Sequence, residues 1–415
     1  SPPVIEEWRR PAVPPRALNR SACLEFARGR IGEVLGPAFS EIDEFPTRVR
    51  LPDEPLMLVD RIVSIDAEPL AMSSGRLVTE HDVSPGAWYL DCGRIPISIA
   101  IESGQADLFL AGYLGIDFIT RGNAVYRLLD AAVTFHRSLP TAGEVIQYEI
   151  HIDRFFRQGS THLFRFRFEG TVNGQPLLSM RDGCAGFFTE DELSSGKGIV
   201  IRSMDLQSRP GKRPDDWRDL APMRPESLSE TQINALRQGD LVGAFGSEFI
   251  GLSLASPAKL PGGRMNLVHR VKSIEPGGGR FGLGRIEGEA DIHPGDWFMV
   301  CHFVDDRVMP GTLMYECCLH TLRIYLTRMG WIGEEGEVAY EPVPGVASRL
   351  RCRGQVIEST RQVTYEVILK EIGYRPEPYA LADAYMYADG RLIVEMTDMS
   401  LRITGLTRAS VESLW

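Results

Sequence analysis

A histidine and a glutamate that could exchange protons with a substrate stand fourteen positions apart in the second half of the chain. His302 lies in the apolar segment 297–303, and Glu316 falls near the start of a predicted helix. A neutral imidazole accepts protons, and a carboxyl group in an apolar cavity keeps its proton because desolvation raises its pKa. The pair favours general acid–base chemistry, although each residue type also occurs in purely structural roles at such positions.

The composition limits the classes of protein in which such chemistry could operate. The chain has 415 residues, 43% hydrophobic and 24% charged, which predicts two globular domains. No apolar run approaches the roughly 18 residues of a membrane helix, so we expect a soluble, cytoplasmic protein without a membrane partner. A net charge of −11 disfavours nucleic acid as a partner. The first residues lack an initiator Met and a signal pattern, which predicts a segment of a longer protein.

The remaining cysteines and histidines show no metal-binding pattern. Seven scattered cysteines form no CxxC pair, so we expect them to be reduced and buried, and we predict no metal site. The other histidines share no spacing and are interpreted as structural. Asp305 and Asp306 are interpreted as ordinary loop charges, and Gly277 to Gly279 as a turn between strands. The cysteines are Cys23, Cys92, Cys184, Cys301, Cys317, Cys318 and Cys352, and these histidines are His81, His136, His151, His162, His269 and His293.

An internal duplication organises the chain. Residues 58–65, LVDRIVSI, recur as LVHRVKSI at 267–274, an offset of 209. Further matched pairs are Trp88 with Trp297, Cys92 with Cys301, Pro96 with Pro310 and Glu102 with Glu316. The offset rises to 214 after the cysteines, so the first copy lacks five residues there. Gly93 stands where the second copy has His302.

Each copy has the same predicted order of elements. An amphipathic stretch (22–35; 231–245) precedes a short strand, a Trp-containing loop and a mostly apolar helix (97–113; 313–329). Alternating strands and hairpin turns at Asn173-Gly174 and Asp389-Gly390 follow. One buried helix wrapped by an antiparallel sheet is the packing we expect. The predicted domains are 1–188 and 231–415, joined by a linker at 189–230.

The second copy resembles a known enzyme family. The spacing from His302 through Val308, Gly311 and Thr312 to Glu316 is similar to the active-site signature of beta-hydroxydecanoyl-ACP dehydratases/isomerases, and the likeness covers residues 258–404. Both copies together resemble the tandem dehydratase region of bacterial polyunsaturated fatty acid synthases. The resemblance implies an α+β fold, with two hot-dog folds in tandem forming a pseudo-dimeric double hot-dog.

The resemblance also implies roles for the signature residues. In this family the histidine of one fold faces the acid of its partner, so His302 is the expected base and Glu102, rather than Glu316, its expected acid. The backbone N–H groups of Gly311 and Thr312 would polarise the thioester carbonyl, and Val308 would line the substrate site. Glu316 would then belong to a second, incomplete site. His320 follows Glu316 by four residues and Gln105 follows Glu102 by three, and both are expected to tether an acid or its helix.

The function implied is removal of water from 3-hydroxyacyl-ACP to give trans-2-enoyl-ACP. We expect no cofactor, because the substrate is carried on the phosphopantetheine of an acyl carrier protein. This acidic carrier and other synthase domains are the expected partners, and a further homodimer is left open. Arg349, Arg351 and Arg353 are either a docking patch for the carrier or a solvated strand face. Alternatives are a dehydratase with 2,3-isomerase activity, a hydratase, a thioesterase, or a non-catalytic acyl-ACP-binding module.

Overall fold

A fourteen-stranded antiparallel sheet runs through the protein. The structure, a computed structural model, describes residues 18–415. The strands are β1 (Arg61–Asp66), β2 (Gly75–Asp82), β3 (Val125–Phe135), β4 (Val145–Gln158), β5 (Thr161–Val172), β6 (Gln175–Phe188), β7 (Glu226–Leu228), β8 (Arg270–Pro276), β9 (Gly284–Asp291), β10 (Ala339–Glu341), β11 (Ala347–Cys352), β12 (Gln362–Gly373), β13 (Tyr379–Ala388) and β14 (Arg391–Thr404). Their spatial order is β1-β2-β4-β5-β6-β3-β11-β14-β13-β12-β9-β8-β7, with β10 paired to β14.

Eleven α-helices lie within residues 18–415. The α-helices are α1 (Arg20–Arg28), α2 (Ile31–Leu35), α3 (Ile97–Glu102), α4 (Asp107–Tyr113), α5 (Ile116–Thr120), α6 (Glu190–Ser194), α7 (Glu230–Gln238), α8 (Leu241–Phe245), α9 (Trp297–Cys301), α10 (Gly311–Arg328) and α11 (Arg408–Leu414). Short 3-10 helices cover Pro37–Glu44, Ser203–Leu206, Ser247–Phe249 and Gly263–Met265. No helix within residues 18–415 combines the length and the apolarity needed to cross a membrane.

The strand order confirms the duplication. Strands β1-β2-β4-β5-β6-β3 of the first copy correspond, one for one, to β8-β9-β12-β13-β14-β11 of the second. The copies join edge to edge where β3 pairs with β11, from Ala347 opposite Thr134 to Arg351 opposite Asp130. Two antiparallel sheets, each wrapped around a buried helix and continuous at one edge, are the double hot-dog fold that the resemblance predicted.

Equivalent contacts in the two copies show how closely they correspond. Arg61 forms ion pairs with Glu80 and Asp82, and Arg270, its counterpart, forms the same pairs with Glu289 and Asp291. The counterparts Trp88 and Trp297 meet edge to face, with ring centroids 5.0 Å apart. The two Trp-containing loops therefore come together at the centre of the pseudo-dimer.

The central helices differ between the copies. Helix α10 is continuous and almost entirely buried, whereas the single helix predicted at 97–113 is divided into α3 and α4. Tyr148 Oη donates a hydrogen bond to Ala100 O at 2.5 Å, so this backbone carbonyl accepts from a side chain. A Cβ on Gly104 would lie 2.7 Å from the Phe168 ring, so only glycine permits this approach. The prediction of one continuous helix was wrong here because tertiary contacts end α3 at Glu102.

Other predicted elements are found with small changes. The amphipathic stretches are helix pairs, α1 with α2 and α7 with α8, and both predicted hairpin turns have positive φ at each central residue. The predicted linker contains α6, one 3-10 helix and β7, which pairs with β8. Residues 1–17, including the terminus from which a longer protein is inferred, lie outside the described residues.

The cysteines are all free in the structure. Cys92 is half-buried and the other six are buried. Within residues 18–415, no three His, Cys, Asp or Glu side chains are grouped to hold a metal ion.

Candidate active site

His302 lies in the connection between α9 and α10. Its side chain is buried, and Nδ1 is 2.8 Å from the carbonyl oxygen of Val308. Because a carbonyl oxygen only accepts, Nδ1 of the neutral ring must carry the proton and donate it. The lone pair of the imidazole is therefore on Nε2, the nitrogen that faces the other repeat.

Glu102 is the last residue of α3, in that other repeat. Its Oε1 lies 4.0 Å from His302 Nε2, and only 7% of its side chain is exposed. Thr312 Oγ1 donates to Glu102 Oε2 at 2.5 Å. The structure thus brings together an imidazole from the second copy and a carboxyl from the first, with a gap too long for a direct hydrogen bond.

Burial shifts both pKa values in directions that suit a base and an acid. Desolvation lowers the pKa of His302 to about 4, opposed by its bond to Val308 and the charge of Asp306. Desolvation raises the pKa of Glu102 to about 7, opposed by the hydrogen bond from Thr312. Near neutral pH the imidazole is uncharged and can accept a proton, while much of the carboxyl population still holds one.

A cavity of about 50 Å³ lies between the two groups. It is lined by Glu102, Gln105, Leu108, Tyr126, Arg127, Leu128, His302, Val308, Met309, Gly311, Thr312, Met314, Cys352, Gly354 and Gln355. Four residues singled out as substrate-binding or tethering groups, Gln105, Val308, Gly311 and Thr312, are among them. This volume holds a water or two and not an acyl chain, so substrate must widen it.

The N-terminus of α10 borders this cavity, which Gly311 and Thr312 line. Pro310 precedes the helix, and the N–H groups of Gly311 and Thr312 belong to the first turn, which has no intrahelical acceptors. A Cβ on Gly311 would approach only Leu128, at 3.6 Å. Gly311 therefore leaves free space beside two donors, which is what a carbonyl oxygen needs to reach them.

The second copy's glutamate occupies a different environment. Glu316 Oε2 accepts a hydrogen bond from the backbone N–H of Ser98 at 3.1 Å, and Oε1 is 3.2 Å from His320 Nε2. Ser98 is the counterpart of Thr312. Glu316 therefore already accepts from the backbone N–H group that would otherwise donate to the substrate carbonyl. Gly93, exposed and without a side chain, stands in place of the base. This second arrangement is an acid with no histidine counterpart of His302.

Sequence reasoning missed residues of the surrounding sheet. Tyr126 and Arg127 on β3 line the cavity, and Tyr126 Oη donates to Asp107 Oδ2 at 3.1 Å. Asp107 is fully buried, and desolvation raises its pKa to about 7. A second carboxyl group, besides Glu102, inside the mostly apolar helix 97–113 was the available signal for Asp107. Nothing in the sequence pointed to Tyr126 or Arg127, because β3 borders the site only through pairing with β11.

Comparison with known proteins finds a matching family and a similar synthase. Residues 260–397 match the family described as FabA-like domain. The chain is 39% identical over 374 residues to a polyunsaturated fatty acid synthase polypeptide of Thraustochytrium sp., an alignment that covers 88% of this chain and 25% of that protein. The chain therefore spans about a quarter of the length of this relative.

Solved structures resemble the chain more remotely. The dehydratase domain of the CurJ module of curacin polyketide synthase is 8% identical, with a TM-score of 0.44 over 84% of this chain and 96% of that one. The dehydratase domain of RzxB from Pseudomonas fluorescens is 10% identical, with a TM-score of 0.41 over 79% of this chain and 94% of that one. The fold assignment rests on the strand order rather than on these scores.

The strand order gives the chain a double hot-dog fold, and its site places a buried imidazole of one repeat near a buried carboxyl group of the other. Residues 260–397 match the FabA-like domain family, and 88% of the chain is similar to part of a polyunsaturated fatty acid synthase. The resemblance predicted from the sequence is thereby confirmed.

Proposed function

We propose that the chain is a dehydratase that removes water from a 3-hydroxyacyl thioester on an acyl carrier protein, giving trans-2-enoyl-ACP, during polyunsaturated fatty acid synthesis. The observation that carries the proposal is the 4.0 Å separation between His302 Nε2 and Glu102 Oε1, each buried and each from a different repeat. The homologous synthase supports the pathway, and the FabA-like domain supports the substrate class.

The proposed reaction needs one proton taken and one supplied. His302 Nε2 accepts the C2 proton, the electron pair left on C2 forms the C2–C3 double bond, and the C3–O bond breaks. Glu102 gives its proton to the departing hydroxyl, which leaves as water. The backbone N–H groups of Gly311 and Thr312 stabilise the charge that develops on the thioester oxygen. Protonated His302 then returns the proton to Glu102, so both groups end as they began.

This reaction as written is redox neutral and requires no cofactor besides the phosphopantetheine that carries the acyl group. Incubation of the chain with 3-hydroxyacyl-ACPs of several chain lengths tests it directly. We expect a trans-2-enoyl-ACP, identified by mass and by the position of the double bond. A 3-enoyl product would add isomerisation to the proposal, and release of free acid would replace it with a thioesterase.

The pH dependence of turnover follows from the two pKa values. Below about pH 4 His302 is protonated and cannot accept a proton, and above about pH 7 Glu102 is ionised and cannot donate one. We therefore expect a bell-shaped profile of kcat/KM against pH, with its maximum between these limits. Activity that continues to rise through about pH 8 would contradict Glu102 as the acid.

A cationic groove beside the join between the repeats supports an acidic carrier as the partner. The groove, of about 830 Å³, crosses the sheet near β3 and β11, next to the strands that border the cavity. Four arginines of the first copy line it, Arg154, Arg165, Arg167 and Arg181, of which Arg167 pairs with Asp153 and Arg181 with Glu169. Of the candidate docking patch, Arg349 and Arg351 line this groove and pair with Asp182 and Glu395.

The duplication provides an internal comparison for this groove. The strand registers match those four arginines to Glu371, Leu381, Asp383 and Thr397 of the second copy. The matching face of the second copy is also covered, because Ile199 of the linker packs there against Tyr385 and Leu392. The cationic, open face therefore belongs to the first copy alone, which is also the copy that supplies Glu102.

Reversing charge in this groove should weaken capture of the carrier without slowing the chemistry. For Arg154→Glu with Arg165→Glu we expect KM for carrier-linked substrate to rise about tenfold, since like charges then face the acidic partner. The kcat, and turnover of a small pantetheine thioester, should not change. The control is Arg218→Glu, an exposed arginine away from the groove. Equal loss with both substrates would argue against docking here.

A further inference from the structure

Two aspartates in the His302 loop are held by arginines of the opposite repeat. Arg50 Nε donates to Asp305 Oδ2 at 2.9 Å. Arg127 makes a two-pronged pair with Asp306, with Nη1–Oδ2 at 2.6 Å and Nη2–Oδ1 at 2.9 Å. Both arginines belong to the first copy, whereas the loop belongs to the second. The residues that looked like loop charges in the sequence are therefore inter-repeat contacts.

These pairs are buried enough to be sensitive to loss of either partner. The side chain of Arg50 is 3% exposed and that of Asp305 17%, and in the second pair both side chains are 12% exposed. Arg50 also donates to the carbonyls of Phe26 and Gly29, and Arg127 Nε donates to Gln355 Oε1. Contacts outside the loop thus also hold both arginines in place. Removing one member of either ion pair would leave the other as a buried, uncompensated charge.

The loop is connected to the His302 ring through short hydrogen bonds. The N–H of Phe303 donates to Asp306 O at 2.6 Å, and the N–H of Val308 donates to His302 O at 2.9 Å. The ring itself donates to Val308 O. Neither α9 nor α10 includes His302, so its placement depends on this loop.

The Arg50–Asp305 and Arg127–Asp306 pairs, which we call the clamp, have no equivalent at the incomplete site within residues 18–415. The first copy lacks the stretch containing Asp305 and Asp306, as it lacks the histidine. Lys259, the counterpart of Arg50, instead pairs with Glu335 of its own repeat, at 3.0 Å. The two inter-repeat ion pairs therefore occur where His302 is present and are not a feature that both repeats share.

We propose that Arg50 and Arg127 are positioning residues that hold His302 in reach of Glu102, acting through Asp305 and Asp306. The inference rests on the proposed function for its catalytic consequence. Its structural content, that the two pairs immobilise residues 302–308, stands independently. A shift of the imidazole by about 1 Å is enough to cost about 10²-fold in rate.

The test compares Asp306→Asn and Asp305→Asn with Asp91→Asn in the full chain. Asp91 is a matched control, because it also pairs with a buried arginine of the other repeat, Arg323, at 2.6 Å, but beside the incomplete site. We expect the two loop variants to lower kcat by about 10- to 100-fold with little change in KM, and Arg127→Gln combined with Asp306→Asn to lose no more than either alone. Asp91→Asn should alter thermal stability alone.

Hydrogen exchange provides a readout that needs no turnover. The amides of Phe303, Asp306 and Val308 should exchange faster in the two loop variants than in wild type or Asp91→Asn. Unchanged exchange, or equal loss of kcat in Asp91→Asn, would overturn the positioning role. If wild-type chain turns over no 3-hydroxyacyl substrate, the proposed function fails, while faster exchange in the variants still supports the clamp.

Discussion

His302→Ala is expected to lower kcat for 3-hydroxyacyl-ACP dehydration by about 10³-fold, because a positioned general base contributes about 10²- to 10⁴-fold. Nε2 presents its lone pair to the cavity, and no other imidazole is placed against Glu102 in the described residues. The measurement is single-turnover conversion followed by mass spectrometry, with binding of the carrier measured separately. Binding should persist, because the cationic groove lies apart from this side chain.

His302→Ala also tests whether the chain catalyses dehydration or only binds acyl-ACP. Full turnover after His302→Ala would contradict the assignment of the base and require another proton acceptor. Circular dichroism and the thermal midpoint serve as the control for folding, since the ring makes one hydrogen bond to Val308 that alanine cannot replace.

Glu102→Gln is expected to lower kcat by about 10²- to 10⁴-fold as well. Glutamine keeps the shape of the side chain and an oxygen that can accept from Thr312, but it has no acidic proton to give. Since Glu102 sets the alkaline limit near pH 7, the remaining activity should no longer fall as the pH rises through that value. The measurement is kcat/KM against pH for wild type and variant.

Glu316→Gln is the matched comparison for this prediction. Glu316 is the repeat counterpart of Glu102, has an equally buried side chain, and contacts Ser98 and His320 instead of a catalytic imidazole. We expect turnover within about twofold of wild type, because the base opposite this acid is missing. Equal loss in both variants would show that the second arrangement takes part in the reaction.

The sequence alone determined the architecture and the chemical types at the site. The repeat at an offset of 209, the hairpin dipeptides and the period of the strands are local properties of the chain, so they can be read before folding. The break in offset after Cys92 showed that only one copy has His302. The family resemblance then paired this histidine with Glu102, residues 200 positions apart in sequence.

Tertiary structure decided what surrounds that pair. The division of 97–113 at Ser103 depends on Tyr148, and the inclusion of Tyr126 and Arg127 in the cavity depends on the pairing of β3 with β11. The same holds for the arginines that clamp Asp305 and Asp306, which come from distant positions in the other repeat. The period of a helix or strand shows on which face of that element each side chain lies. The residue that a side chain contacts across an interface is determined only when two elements pack together. The pKa values of His302 and Glu102 follow the same rule, because desolvation exists only once the cavity has closed.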